Sequence, residues 1–297
     1  MEHASRNAVI PILKHATETL AVADCDTPRL DAEVLLAHVL SQDRSWLYAH
    51  PEGTLSPSQL STYQALISRR AEREPVAYLT GHKEFFGLDF IVTPDVLIPR
   101  PETECLVELA LRWTQAQSWP GAIADVGTGC GTISVTLAVH LPQAQIIATD
   151  TSPAALAVAR RNTVRHNVAD RICCVQSNLL AALAGPLQLI VANPPYLSQT
   201  ELATAPPEVA YWEPRVALDG GPDGLAAVRH LLAMASGRLH PDGALLVEIG
   251  AGHGTDVIKL AHRYFPEATV EIVKDYAKRD RVLAVRCARK LAKALSL

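Results

Sequence analysis

The sequence predicts an α/β protein in which a doubly wound sheet of seven strands follows a small all-helical N-terminal domain and a β-hairpin linker. Three observations carry this. Before about residue 75, apolar residues recur at helical spacing with few strand signals. From about residue 104, short apolar runs alternate with helical stretches. Between them, "KEFFGLDFIVTPDVLIPRPETE" alternates aromatic or β-branched residues with polar ones. The expected divisions are residues 1–80, 81–103 and 104–297.

In the first division, "TPRLDAEVLLAHVLSQ" places Leu30, Val34, Ala37 and Leu40 on one face of a helix, with Asp31 and Glu33 opposite. Asp26 or Thr27 caps it and Pro28 takes the first helical position, where a missing N–H costs nothing. "SPSQLSTYQALISRRAERE" repeats the device with Ser56 and Pro57. Its basic run, Ser68 to Arg73, reads as a solvated helix face rather than a phosphate-binding patch. Gly87, Pro94, Pro99 and Pro101 then punctuate the hairpin linker.

The expected strands of the third division are "AIADVG", "QIIATD", "RICCVQ", "LQLIVAN", "GALLVEIG", "TVEIVKD" and "RVLAVRC". Several are near-continuous apolar runs, as strands covered on both faces should be. Helical segments such as "SPAALAVARRNTVRHN" and "DGLAAVRHLLAMASGRL" supply the crossovers between parallel strands. The last two strands are separated only by "YAKRD", which fits an antiparallel hairpin at the sheet edge.

Composition bounds the function. The 297 residues are 48% hydrophobic and 20% charged with a formal net charge of −4, enough apolar material for about two domains. The acidic balance disfavours a general nucleic-acid binder, whose phosphate affinity comes from clustered Lys and Arg. No apolar run approaches the roughly 18 residues of a membrane span. The opening "MEHASRNAVIPILKHATETL" carries Glu2 and no cationic start before an apolar block, so it does not read as a signal peptide. Six scattered cysteines without a C-x-x-C pair read as free thiols of a reducing compartment, the cytosol. The eleven histidines form no metal-ligand pattern, and no metal is expected.

Chemistry concentrates at three strand ends. "AIADVGTGCGTISVTLA" is a strand, a glycine turn and a helix, in which Gly127, Gly129 and Gly131 let the backbone turn sharply and approach a ligand closely. The spacing is G-x-G-x-G, not G-x-G-x-x-G, because Thr132 holds the third glycine position of a dinucleotide fingerprint. A nicotinamide cofactor is therefore disfavoured. Asp150, 23 residues after Gly127, tips the next strand and can accept from both hydroxyls of a ribose, which points to an adenosine-type ligand. The fourth strand runs into Asn193-Pro194-Pro195-Tyr196, where two prolines end the ladder and leave an amide and a ring at its carboxyl end.

Together, "DVGTGCG", "ATDTS" and "NPPY" resemble a class I S-adenosylmethionine-dependent methyltransferase acting on a planar nitrogen, with a Rossmann-like seven-stranded sheet. "EPVAYLTGHKEFFG", "LIPRPETE", "EPRVALDGGPDGL" and "DRVLAV" are similar to the PrmC/HemK family, the glutamine methyltransferases of peptide chain release factors. The resemblance spans nearly the whole chain. It implies transfer of a methyl group from S-adenosyl-L-methionine, leaving S-adenosyl-L-homocysteine, to the glutamine amide of a Gly-Gly-Gln loop. The partner is then a release factor, with no membrane and no stable nucleic-acid partner.

Residue by residue, the resemblance implies that Gly127, Thr128, Gly129, Cys130 and Gly131 wrap the methionine part of the cofactor and that Asp125 orients its ammonium. Asp150 would bind the ribose. Asn178 in "VQSNLL" stands where the family usually has an acidic residue reading the adenine amino group. Asn193 and the Pro194 carbonyl would accept the two N–H groups of the target amide. Tyr196 would lie against that amide's flat face, with Pro195 completing the motif. Glu213 and Arg215 are weaker candidates in a loop over the substrate channel, and Cys130 is given no redox role. Rival readings are a ribosomal-protein glutamine methyltransferase, a DNA or RNA amino methyltransferase sharing N-P-P-Y, and a cofactor-binding module without turnover.

Overall fold

The computed structural model describes residues 8–116 and 121–287; Glu2 and the rest of residues 1–7 lie outside the described residues. The chain divides into two compact units. One runs to His82 and takes in Pro206–Trp212; the other comprises Lys83–Ala205 and the chain from Glu213 onward.

The first unit is helical: α1 (Val9–Val22), α2 (Pro28–Leu40), α3 (Arg44–Ala49), α4 (Pro57–Ala71) and α5 (Val76–Thr80). Its core gathers Leu20, Leu35, Leu36, Leu47, Tyr63 and Ile67. Ser56 caps α4 through a reciprocal pair with Gln59, as the Ser-Pro start predicts. The face assigned to α2 is corrected. Leu30 is exposed, whereas Asp31 and Glu33 are buried with Leu35 and Leu36. Buried charges persist when paired, and each of these is. Arg70 Nε donates to Asp31 Oδ2 at 2.7 Å, and Arg29, Arg44 and Tyr48 all donate to Glu33.

The basic run is corrected for the same reason. Arg70 is buried rather than solvated. Arg70 Nη2 and Arg73 Nε reach Glu208 Oε1 at 2.9 and 2.6 Å, while Arg69 pairs with Glu74. Glu208 belongs to the short helix of Pro207–Trp212, which the sequence places more than a hundred residues downstream. These cations are spent on carboxylates of their own unit.

The second unit opens within the hairpin β1 (His82–Phe85, its first residue counted with the first unit) and β2 (Leu88–Ile91), a sheet of two strands. It continues α6 (Glu104–Ala116), β3 (Ala122–Val126), α7 (Thr132–His140), β4 (Gln145–Asp150), α8 (Pro153–Arg165), β5 (Ile172–Gln176) and β6 (Leu187–Ala192). After the short helices α9 (Gln199–Ala203) and α10 (Pro207–Trp212, counted with the first unit) come α11 (Ala226–Ala235), β7 (Leu239–Glu248), α12 (Gly254–Tyr264), β8 (Thr269–Lys274) and β9 (Asp280–Arg286). The seven strands β3 to β9 stand in the order β5-β4-β3-β6-β7-β9-β8. All pairs from β5 to β7 are parallel, and β9 is antiparallel to both β7 and β8. This is the doubly wound sheet with its edge hairpin.

Alternation along the strands feeds two cores. Ile123, Leu189, Val191 and Leu246 pack on one face with Leu106 and Val107 of α6 and Val135 and Leu137 of α7. Ala124, Ile190, Leu245 and Val247 pack on the other with Leu231 and Leu232 of α11 and Val257 of α12. Each such Leu, Ile or Val contributes about 1.5–3 kcal/mol by leaving water. The order reverses between β3 and β6, so their carboxyl ends flank the crevice where open α/β sheets bind ligands.

Candidate active site

That crevice is a cavity of about 390 Å³, formed entirely by residues of the second unit. Gly127 follows β3, and Asn193 follows β6; the register pairs Val126 with Ala192 one residue earlier on each strand. The glycine turn and the amide of N-P-P-Y are therefore neighbours because their strands are.

The turn needs its glycines for different reasons. Gly127, Gly129 and Gly131 all have positive φ, at 76°, 56° and 85°. A Cβ on Gly129 would meet nothing within 4 Å, so it would project into open space at the cavity wall, whereas one on Gly131 would press on Ala159 of α8 at 3.4 Å. Gly127, Thr128, Gly129 and Cys130 line the cavity; Gly131 caps α7 instead. Burial pushes the Cys130 thiol up to about 11, and its Sγ lies 2.7 Å from Thr132 Oγ1, so it remains a thiol.

Asp125 is fully buried behind the turn rather than in the cavity wall. Its Oδ2 accepts from Thr128 Oγ1 at 2.6 Å and Ser134 N at 3.1 Å, and Oδ1 has no partner among the described residues. Desolvation pushes this carboxyl up to about 6, against the pull of those donors. Asp150 accepts from Gly129 N at 3.0 Å through Oδ2 and from Ser152 N at 2.9 Å through Oδ1. A carboxylate has about four acceptor positions, so each oxygen keeps one for a ribose hydroxyl. Asn178 lines the same cavity beyond Asp150. An open glycine cradle, an orphaned buried carboxylate oxygen and a half-used acid fit a nucleoside carrying a cationic amino-acid tail.

On the other wall, Asn193, Pro194 and Pro195 line the cavity. Asn193 Nδ2 donates to Thr103 Oγ1 at 3.1 Å. Tyr196 is not part of the wall; its hydroxyl donates to Glu248 Oε1 at 3.3 Å, and burial beside that carboxyl drives its pKa upward. The loop of "EPRVALDGGPDGL" is tied to this strand end by Leu197 N to Leu218 O at 3.0 Å and Gly220 N to Leu197 O at 2.8 Å. Gly224, at φ 72°, lies so close that a Cβ would fall 2.4 Å from the Tyr196 carbonyl oxygen. In that loop Glu213 is buried and holds Arg100, a cavity residue, at 2.5 Å, whereas Arg215 is exposed and pairs with Asp219 at 3.4 Å. Burial raises the Glu213 carboxyl, opposed by Arg100.

The geometry has counterparts. Residues 11–81 match the model of the PrmC N-terminal domain, and residues 108–207 that of the methyltransferase small domain. The release factor glutamine methyltransferase of Moorella thermoacetica is 46% identical over 91% of this chain and 95% of its own length. That of Nitratidesulfovibrio vulgaris is 40% identical over 93% and 94%. The chain belongs to the release factor glutamine methyltransferase family. It is a methyltransferase, and its methyl donor is S-adenosylmethionine. The hMettl16 catalytic domain in complex with MAT2A 3′UTR hairpin 6 shares the fold, with a TM-score of 0.54 at 18% identity over 79% of this chain and 84% of that one.

Sequence reasoning missed Thr103, Arg100 and Glu248. The first two stand in "LIPRPETE", quoted above only as a family mark. Glu248 had a signal of its own: a lone acid inside the apolar run "ALLVEIG" is a buried charge in need of a partner. Among the described residues no group of His, Cys, Asp and Glu could hold a metal ion, and no helix is long and apolar enough to cross a membrane.

Proposed function

We propose that this enzyme methylates the side-chain amide nitrogen of the glutamine in the Gly-Gly-Gln loop of a peptide chain release factor, in the cytosol. The observation that carries the reading is the adjacency of the two strand ends. One cavity holds both the glycine cradle with Asp150 and the Asn193-Pro194 acceptors. The relatives named for this activity match along nearly their full length.

Bound S-adenosylmethionine supplies an electrophilic methyl group on a sulfonium. Gly127 to Cys130 cradle its methionine part, Asp125 Oδ1 lies behind that cradle as a buried negative pole, Asp150 takes the ribose hydroxyls and Asn178 accepts from the adenine amino group. Gly131 serves the group indirectly, by starting α7 close against α8. An amide nitrogen is a poor nucleophile because its lone pair is delocalised into the carbonyl. Asn193 Oδ1 and the Pro194 carbonyl, fixed by proline φ, each accept one N–H of the target amide. Holding both hydrogens aims the nitrogen at the methyl and favours its pyramidal form as the bond forms. The nitrogen would become cationic as the S–CH₃ bond gives way, its electron pair staying on sulfur, and would then lose its proton to solvent, so no strong base is required beside it. Tyr196 supports this wall from behind through Glu248.

The test is methyl transfer from labelled S-adenosylmethionine to a purified release factor, its Gly-Gly-Glu variant and duplex DNA. Label on the wild-type factor alone, lost with Asn193→Ala, supports the reading. Label on DNA, or on the Gly-Gly-Glu factor, overturns it.

A further inference from the structure

The proposed reaction uses one end of the Asn193 amide, the oxygen. A primary amide turned by half a revolution has nearly the same shape but presents N–H groups instead. Two N–H groups facing each other would leave the target without an acceptor. Something must therefore fix the rotation, and the groups placed to do so are Thr103, in the cavity wall, and the buried Glu248.

Asn193 Nδ2 rests on Thr103 Oγ1 at 3.1 Å, and Thr103 is itself buried. A hydroxyl has one hydrogen and two lone pairs. Given to Asn193, that hydrogen would seat the amide oxygen at Thr103 and turn the NH₂ into the cavity. Given elsewhere, it leaves a lone pair for Nδ2, and the oxygen faces the cavity. Elsewhere is Glu248. It ends β7 with no exposed surface and its Oε1 accepts from Tyr196; burial raises its carboxyl, and the Thr103 side chain opposes that rise. Glu248 Oε2 has no hydrogen-bond partner among the described residues. Arg281 acts on this carboxyl only through charge, since its own Nε and Nη2 are taken by Asp275 at 3.2 Å. Whether ionised or protonated, a carboxyl offers an acceptor oxygen to Thr103.

We infer that Thr103, oriented by Glu248, is a positioning residue that locks the Asn193 amide with its oxygen toward the substrate. The inference rests on the proposed reading in which Asn193 accepts an N–H of the target glutamine. Neither Thr103 nor Glu248 touches the reacting atoms in this account.

Thr103→Val keeps the shape and removes the acceptor. It is expected to lower kcat roughly 10- to 100-fold, the scale of a misaimed reactant, with KM for the release factor and Kd for S-adenosylmethionine within about threefold of wild type. Thr103→Ser restores the hydroxyl and is expected to restore kcat. Glu248→Gln is the second variant. Because both act through one amide, Thr103→Val/Glu248→Gln is expected to lose no more than the worse single variant. Hydrogen exchange of the Asn193 side-chain NH₂, read by NMR, is expected to be slow in wild type and fast in Thr103→Val whatever the substrate. A Thr103→Val kcat within twofold of wild type, a Thr103→Ser enzyme no better than Thr103→Val, multiplicative losses in the double variant, or equal exchange of that NH₂ would each overturn the inference. Failure of the wild-type enzyme to label any release factor would instead overturn the proposed substrate and leave the exchange measurement to decide the lock.

Discussion

Asp150→Asn separates the ribose-binding role of this residue from a structural one. Its two oxygens already take Gly129 N at 3.0 Å and Ser152 N at 2.9 Å, leaving one acceptor position on each. Asparagine keeps a single accepting oxygen. However the amide turns, its NH₂ opposes one backbone N–H, and one ribose hydroxyl loses its acceptor. A hydrogen bond to a charged group contributes about 1.5–3 kcal/mol, and the side chain is half-buried, which favours the lower end. At 1.4 kcal/mol per tenfold, the dissociation constant for S-adenosylmethionine should rise roughly 10- to 30-fold. Titration calorimetry measures it, with the exposed Asp170→Asn as a control. A constant within threefold of wild type would refute the assignment of Asp150 to the ribose.

Four further outcomes follow from the structure. Asp125 titrates at about 6 in the folded protein against an ordinary 3.8, so its contribution is fully present below about pH 4 and lost as pH rises through 6. Relative to wild type, Asp125→Asn should gain about 3 kcal/mol of stability over that interval, and parallel urea stability curves against pH would contradict this. Arg70→Met leaves buried Asp31 without its cation, only Thr27 still donating to it, and should cost about 3–5 kcal/mol in urea unfolding. Arg29→Met, at an exposed cation whose partner Glu33 keeps Arg44, should leave the urea midpoint close to wild type. Gly224→Ala forces a left-handed residue and a Cβ against the Tyr196 carbonyl; kcat should fall roughly 100-fold or more while cofactor affinity measured by calorimetry stays near wild type.

What the sequence made legible was local. The glycine turn, Asp150 and N-P-P-Y each announce themselves in a few consecutive residues because backbone conformation constrains residue type on the spot. The parallel sheet then assembles them, since each follows the carboxyl end of its strand. What stayed hidden was pairing across distance. Thr103 meets Asn193 from 90 residues away, and Arg100 meets Glu213 from 113. Nothing local distinguishes such residues from solvated polar ones. The same blindness misread α2: apolar periodicity put Leu30 inward and Asp31 outward, whereas Arg70, remote in sequence, supplies the cation that lets Asp31 be buried. N-P-P-Y was legible as a motif, but the hydrogen bond that ties the Tyr196 hydroxyl to Glu248 was not.

The central claim is the identity of the methylated atom. Tandem mass spectrometry of the release-factor peptide that spans Gly-Gly-Gln, after reaction with wild-type enzyme and with Asn193→Ala, reads it directly. The account predicts one added methyl group on the glutamine side-chain nitrogen with wild-type enzyme and none with the variant. A methyl group on any other residue, or an unmodified peptide under conditions where the enzyme methylates another substrate, would contradict it.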